Sequence, residues 1–475
     1  MARALFPKDA RFLSRAARAC KEILVDGAQQ DAVLSRFGDD ASTTDNRKQI
    51  AQLVIPVIKH HGLLNYIIHQ AARAMEMSIP NDKERHFFSC VVIFHVFKNR
   101  IENGSLTPFS DAEKKEITLA LKNPRPRIDD ETCMLVSGAI HLDVHALLRE
   151  KDVVERWSIL HSHPSWFIDR LRRLLPDERV ERILQAQQAP EAFFLAVRDA
   201  STLDRVARFL ASNNIVFQRN KMLPSVLQIS NLTGAKRRLI EKKWINVDHA
   251  MIQDLASVAV LEALNVVEGD VVIDACAAPF QKSAGIWWRN AWPGTIIAMD
   301  ANFERAASNA ARLPAGVRRF IHVAVADAAR LGSSLRGIVP DKILIDMPCT
   351  GSGSLAAYPE LKARQRATDV AFFSRLQGQI LESVLDACIQ MHWKDVHVVY
   401  STCSYYPEEG EDIIDEVMDK IELVDLHDPR GPGCRLAGFP AGWKGHACSK
   451  KVVRTFPDLN DGSKAFFIAA FTPKA

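Results

Sequence analysis

Short apolar runs that each finish on aspartate, separated by helical patterns, predict that the second half of this 475-residue chain folds as a doubly wound, mostly parallel α/β sheet. Two further observations complete the fold class. Residues 1 to about 150 show helix-like apolar spacing without a convincing strand pattern, and residues 151 to 245 mix two helical stretches with short apolar runs. The expected organisation is a helical domain over 1–150, a linker and small α/β subdomain over 151–245, and a larger α/β domain over 246–475.

Composition permits this. An apolar content of 47% with 25% charged residues suits a chain that buries proper cores, and disorder is excluded. Lys+Arg 61 against Asp+Glu 57 leaves only +4, so affinity for nucleic acid has to come from local patches. One such patch is Arg219, Lys221, Lys236, Arg237, Arg238, Lys242 and Lys243, opposed between 216 and 243 by Glu241 alone. It reads either as a solvated face or as a contact for RNA phosphate. Nine cysteines form no CxxC pair and follow no secretory segment, which points to a reducing, cytoplasmic setting without a disulfide framework. No apolar run approaches a membrane span. The basic start, with Arg3, Arg11, Arg15 and Arg18, is interrupted by Asp9 and Glu22 and reads as an amphipathic first helix rather than a transit peptide.

Taken in order, Ile50 to Ile58, Leu63 to Met75 and His86 to Phe97 carry helical apolar spacing, as in a small bundle. Pro164 and Ser165 open a helix running through Phe167, Ile168, Leu171 and Leu174. Short apolar runs from Phe193 to Ile229 flank a helical stretch near Leu203 to Leu210. Beyond Asn246 come the four aspartate-ended runs: Val271 to Asp274, Thr295 to Asp300, His322 to Asp327 and Lys342 to Asp346. A single such aspartate is explained as a helix N-cap. Four in succession mark a ligand site at the carboxyl ends of the strands. No GxGxxG cradle accompanies them, so the ligand offers ribose hydroxyls without a pyrophosphate, and S-adenosylmethionine is such a molecule.

Two cysteines stand out from the rest. Cys349 lies in Ile345-Asp346-Met347-Pro348-Cys349-Thr350-Gly351, and Cys403 in Tyr400-Ser401-Thr402-Cys403-Ser404, both at strand ends. A thiolate that attacks carbon 6 of cytosine makes carbon 5 nucleophilic, and a second thiol can help take the adduct apart. Cys20, Cys90, Cys133, Cys276 and Cys388 read as buried packing. His427, Cys434, His446 and Cys448 follow no zinc spacing, and no metal is expected. The Gly351-Ser352-Gly353-Ser354 run reads as a mobile loop near the substrate.

Asp274-Ala275-Cys276-Ala277-Ala278-Pro279, Asp346 to Gly353, Leu376-Gln377 with Ile380-Leu381, and Tyr400 to Ser404 followed by Pro407-Glu408-Glu409 resemble the motifs of the Rsm/Nop/Sun family of RNA cytosine-5 methyltransferases. The pattern spans roughly residues 245 to 475 and includes Arg454, Pro457, Asp461, Gly462, Phe466 and Phe467. His163-Pro164-Ser165-Trp166 and the helical leader are similar to bacterial members with a NusB-like leader. The resemblance implies a class I S-adenosylmethionine-dependent fold acting on RNA, most often ribosomal, and a monomer. It implies Cys403 as nucleophile, Cys349 as the thiol assisting release, Asp346 as the acid at the base, and Lys282 beside it. Cys276, Ala277, Ala278, Pro279, Phe280, Gln281 and Lys282 would form the cofactor loop, with Asp300, Arg305, Asp327 and Asp346 around it. Phe280-Gln281 replaces the family's Gly-Gly, which is expected to weaken cofactor binding because glycine admits positive φ and close backbone approach. A tRNA substrate, or an RNA-binding assembly factor that has lost the cofactor, are the alternatives.

Overall fold

The computed structural model describes every residue except 1–9, 37–43, 123–127, 191, 199, 231–249, 290–293, 312, 314, 336, 394, 432, 433 and 475. Most of the basic patch, Lys236 to Lys243, lies outside the described residues. The chain divides into two compact units: residues 1–188 with 357–365, and residues 189–356 with 366–475.

In the first unit the described elements are helices, from Ala10–Leu24 to Asp177–Gln188. Ala10–Leu24 buries Leu13, Ala16, Ala17, Cys20 and Ile23 in the same apolar cluster that takes Cys90, Val91 and Phe94 of Lys83–Glu102. Aspartates start these helices by accepting the orphan amides of the first turn: Asp82 from Glu84, Asp129 from Thr132 and Asp143 from Ala146. The Ser165–Leu174 helix begins after Pro164, and His163 stacks on Phe167 at 4.8 Å. The 357–365 segment belongs to this unit through its polar ends. Lys362 Nζ donates to the carbonyl of His161 at 3.0 Å, and Arg364 donates to the carbonyls of Ile23 and Ala28. Burial, then the nearby Lys59, holds Lys362 well below the usual ammonium range.

The second unit holds two sheets. Strands β1 (Phe193–Val197), β2 (Phe217–Arg219), β3 (Val226–Ile229) and β4 (Ala250–Ile252) form an antiparallel sheet in the order β2-β3-β1-β4, with the Ala200–Ser212 helix between β1 and β2. The larger sheet contains β5 (Val271–Asp274), β6 (Thr295–Asp300), β7 (Ile321–Val325), β8 (Lys342–Asp346), β9 (His397–Thr402), β10 (Ile421–Leu423), β11 (Val453–Arg454) and β12 (Phe467–Pro473). Its order is β10-β12-β9-β8-β5-β6-β7, with β11 paired to β12. The run from β7 to β9 is parallel, and β12 is antiparallel to β9. This is the predicted mostly parallel, doubly wound class. The chain runs outward from β5 through β6 and β7, then crosses to β8, so strand order reverses beside β5 and opens a crevice at the carboxyl ends.

Strands β5, β6 and β8 end on Asp274, Asp300 and Asp346 as expected. Strand β7 ends at Val325, and Asp327 lies two residues past it, where it caps a short 3-10 turn by accepting from the Ala329 amide at 3.0 Å. No helix among the described residues is long and apolar enough to cross a membrane.

Candidate active site

The two motif cysteines meet because their strands are neighbours. Strands β8 and β9 pair in parallel with Asp346 opposite Ser401, so residues three and two positions past those partners emerge side by side. Cys349 Sγ and Cys403 Sγ lie 3.1 Å apart, and both side chains are half-buried. Cys349 donating its S–H holds the Cys403 thiol below the ordinary range, with Ser354 contributing and burial opposing. The same contact and burial push Cys349 up. The other described thiols move only upward: Cys90 and Cys388 rise to about 12 through burial. Cys403 is thus the described cysteine whose surroundings favour the thiolate.

Next to the thiols stands a second group. Lys282 Nζ donates to Asp346 Oδ2 at 2.6 Å, and Ser401 Oγ donates to Asp346 Oδ1 at 2.8 Å. The Lys282 ammonium also lies 5.1 Å from the ring centroid of Phe466. The structure therefore brings together all four residues expected to carry chemistry, and adds Ser401.

The loop read as mobile is fixed. Ser352–Ser354 form a buried 3-10 turn, Gly353 N donates to the Cys403 carbonyl at 2.9 Å, and Gly353 O accepts from Ala465 at 3.0 Å. A Cβ on Gly353 would come within 2.0 Å of the Ala465 carbonyl. The glycine is there for close backbone approach to β12's approach segment, so the earlier flexible reading is corrected.

Further support comes from residues to which the sequence assigned no role. Glu409 accepts from the Thr350 amide and hydroxyl, from Gln377 and from Ser404. Arg454, 1% exposed, pairs with Glu411, 0% exposed, and donates to the Ser404 carbonyl at 2.8 Å. Their signal was the Pro407-Glu408-Glu409-Gly410-Glu411 run just after the Cys403 motif, whose acids look like an exposed charged turn in sequence.

On the other side of Asp346 lies the proposed cofactor loop. Residues 276–280 leave β5 and lead into the Gln281–Arg289 helix through a cis Ala278–Pro279 bond. Phe280 takes φ +68, the region that glycine enters freely, and its ring is fully buried in the apolar cluster with Ala277, Ala284 and Phe466. The backbone turn of a glycine is thus kept, at a cost of order 1 kcal/mol. Gln281 is exposed, and Cys276 is half-buried with its thiol pushed up by burial.

The carboxylates around this loop leave acceptor capacity unused. Asp274 Oδ2 accepts from Ser283 at 2.6 Å, while Oδ1 is buried without a hydrogen-bond partner. Burial pushes the Asp274 carboxyl up to about 7 against the opposing Ser283 bond. Asp300 Oδ1 takes the Asn302 amide and two Arg305 nitrogens, whereas Oδ2 takes Arg305 Nε alone at 3.1 Å. A carboxylate oxygen with one partner has room for a ribose hydroxyl. These residues suit a ligand rich in hydroxyl and ammonium donors. Exposed Asp327, engaged as a cap, lies beyond the end of β7. Among the described residues no group of three or more His, Cys, Asp or Glu is placed to hold a metal.

Comparison with known proteins converges on this region. Residues 261–472 match the family model described as 16S rRNA methyltransferase RsmB/F. The ribosomal RNA small subunit methyltransferase B of Sodalis glossinidius is 25% identical over 93% of this chain and 97% of its own. The protein named probable ribosomal RNA small subunit methyltransferase B from Coxiella burnetii is 28% identical over 55% of this chain and 60% of its own. Among solved structures, PH0851 superposes with TM-score 0.69 at 20% identity, covering 98% of this chain and 99% of that one. NSun6 from Pyrococcus horikoshii, solved with SFG, gives 0.50 at 19% identity over 65% of this chain and 98% of its own. S-adenosylmethionine is the cofactor that goes with this family and fold. The strand-end aspartates and the paired thiols lie in the very region, residues 261–472, that is similar to the RsmB/F 16S rRNA methyltransferases.

Proposed function

We propose that this protein methylates carbon 5 of a cytosine in small-subunit ribosomal RNA, through a covalent bond between Cys403 and carbon 6. The observation that carries this reading is the 3.1 Å approach of Cys349 and Cys403 beside the Lys282–Asp346 pair. The family description and the names of the relatives support the RNA class.

The thiolate of Cys403 attacks carbon 6 of a base that has left its stack, since that carbon cannot be reached within a helix. Electrons move toward N3, which takes up a proton relayed from the Lys282 ammonium through the Asp346 carboxylate that Ser401 also holds. The strand-end carboxylates Asp274 and Asp300 would hold S-adenosylmethionine, which would supply the methyl group to carbon 5 and leave as S-adenosylhomocysteine. Water takes the carbon 5 proton, the C5–H electrons form the C5=C6 bond as the C6–S bond breaks, and Cys403 leaves as a thiolate that a Cys349 S–H stabilises across the 3.1 Å sulfur contact. The Phe280 ring lies in the core rather than across the loop's exposed side, which favours an active enzyme over a cofactor-free assembly factor.

The direct test is to incubate the protein with undermodified small-subunit RNA and S-adenosylmethionine labelled in the methyl group. Label recovered in 5-methylcytidine is expected. Label in another nucleoside, or in none, contradicts the proposal.

A further inference from the structure

Glu409 has no part in the chemistry above, yet it is fully enclosed next to the thiol loops, at 0% exposed. Oε1 accepts from the Thr350 amide at 2.8 Å and from Gln377 Nε2 at 3.3 Å. Oε2 accepts from the Thr350 hydroxyl at 2.6 Å and from the Ser404 hydroxyl. Thr350 follows Cys349 in the chain, and Ser404 follows Cys403. Gln377 also donates to the carbonyl of Pro348 at 2.8 Å, so both neighbours of Cys349 are tied to this one group. An ionised carboxylate offers about four acceptor positions, and here four donors fill them.

Enclosing a carboxylate is costly, and burial pushes the Glu409 acid up despite these bonds. Neutral side chains could close two loops without that cost. What a carboxylate adds is a rigid two-oxygen acceptor that grips both loops at once, beside sulfurs whose geometry must hold to about 0.5 Å.

We propose that Glu409 is a positioning residue for the two-thiol chemistry: by binding the residue after Cys349 and the residue after Cys403 with one carboxylate, it sets the separation of the sulfurs. This rests on reading those cysteines as a catalytic pair. Glu409→Gln keeps the shape but turns an NH2 group toward donors. The Thr350 and Ser404 hydroxyls can rotate to accept from it, so the loops loosen without coming apart.

The test reads the sulfurs without RNA. Full-length protein is equilibrated with oxidised and reduced glutathione, where two thiols and one oxidised glutathione give the Cys349–Cys403 disulfide and two reduced glutathiones. Peptide mapping of the linked pair then yields its effective concentration. Glu409→Gln is expected to lower that concentration by about tenfold or more, and to lower kcat while leaving the KM for RNA within about twofold. Thr350→Val, which removes one of the four donors, is expected to lower it by about threefold and carries the test should Glu409→Gln fail to fold. Values within about twofold of the unsubstituted protein in the folded variants would overturn the proposal, whatever happens to turnover. A fall in effective concentration in a protein that methylates no cytosine keeps Glu409 as the clamp and removes only the catalytic reading.

Discussion

On the thiol side of the large sheet, Glu409 is saturated by four donors, and the fully buried Glu411 takes two Arg454 nitrogens and the Trp443 amide. On the cofactor side, Asp274 keeps an oxygen without a partner, Asp300 shares itself with a half-exposed Arg305, and Phe280 holds a positive φ. Satisfied buried networks rigidify, whereas unused acceptors and local strain persist where a ligand completes the site. On the proposed reading, the contrast means that the two sulfurs are placed in advance, while the aspartate-lined loop is left for a ligand to finish.

The largest way to break the contrast is on the saturated side. Arg454→Met leaves Glu411 buried without its charge partner, and a loss of about 3 to 5 kcal/mol in denaturant unfolding is expected. A loss below about 1 kcal/mol would mean that the pair is dispensable and the thiol side is not held as described.

On the open side the effect depends on pH. The folded Asp274 carboxyl lies at about 7, above its unfolded range, so its stabilising contribution is complete below pH of about 4 and is lost as the pH rises through 7. Asp274→Asn removes the cost of the charged form. The variant should match the unsubstituted protein near pH 4 and exceed it by up to roughly 4 kcal/mol at pH 8, an upper bound. A difference that does not change with pH would contradict the assigned burial of an ionisable, underbonded acid.

A smaller effect sharpens the role of β6. If Asp300 Oδ2 holds a ribose hydroxyl, Asp300→Ala should weaken S-adenosylmethionine binding by about 1.5 to 3 kcal/mol in calorimetry. An unchanged Kd would take Asp300 out of the cradle.

Much of this site is written locally. Strands that end on Asp274, Asp300 and Asp346 are visible because β-rich runs and their terminating acids are neighbours in sequence. The two cysteine motifs are visible for the same reason. Their meeting is not, because it depends on β8 and β9 pairing across the long Ala367–Gln390 helix. The four-donor grip of Glu409 draws on residues from three separate stretches, and an acid in a Glu-rich turn gives no local sign of burial. Gly351 to Ser354 misleads because its composition is that of a linker, while the Ala465 carbonyl fixes it from more than a hundred residues away. Phe280 shows the reverse: the missing glycine is plain in sequence, but only the fold shows the backbone keeping the glycine turn with the ring in the core.

The proposed division of labour between the two sulfurs can be read on a denaturing gel after incubation with RNA and S-adenosylmethionine. Cys403→Ala should abolish methyl transfer and any covalent protein–RNA band. Cys349→Ala should still attack, at a higher pH because the S–H that lowers Cys403 is gone, and should accumulate the band because release is slowed. Accumulation in Cys403→Ala instead would make Cys349 the nucleophile, and unchanged turnover in both variants would show that neither sulfur takes part in the reaction.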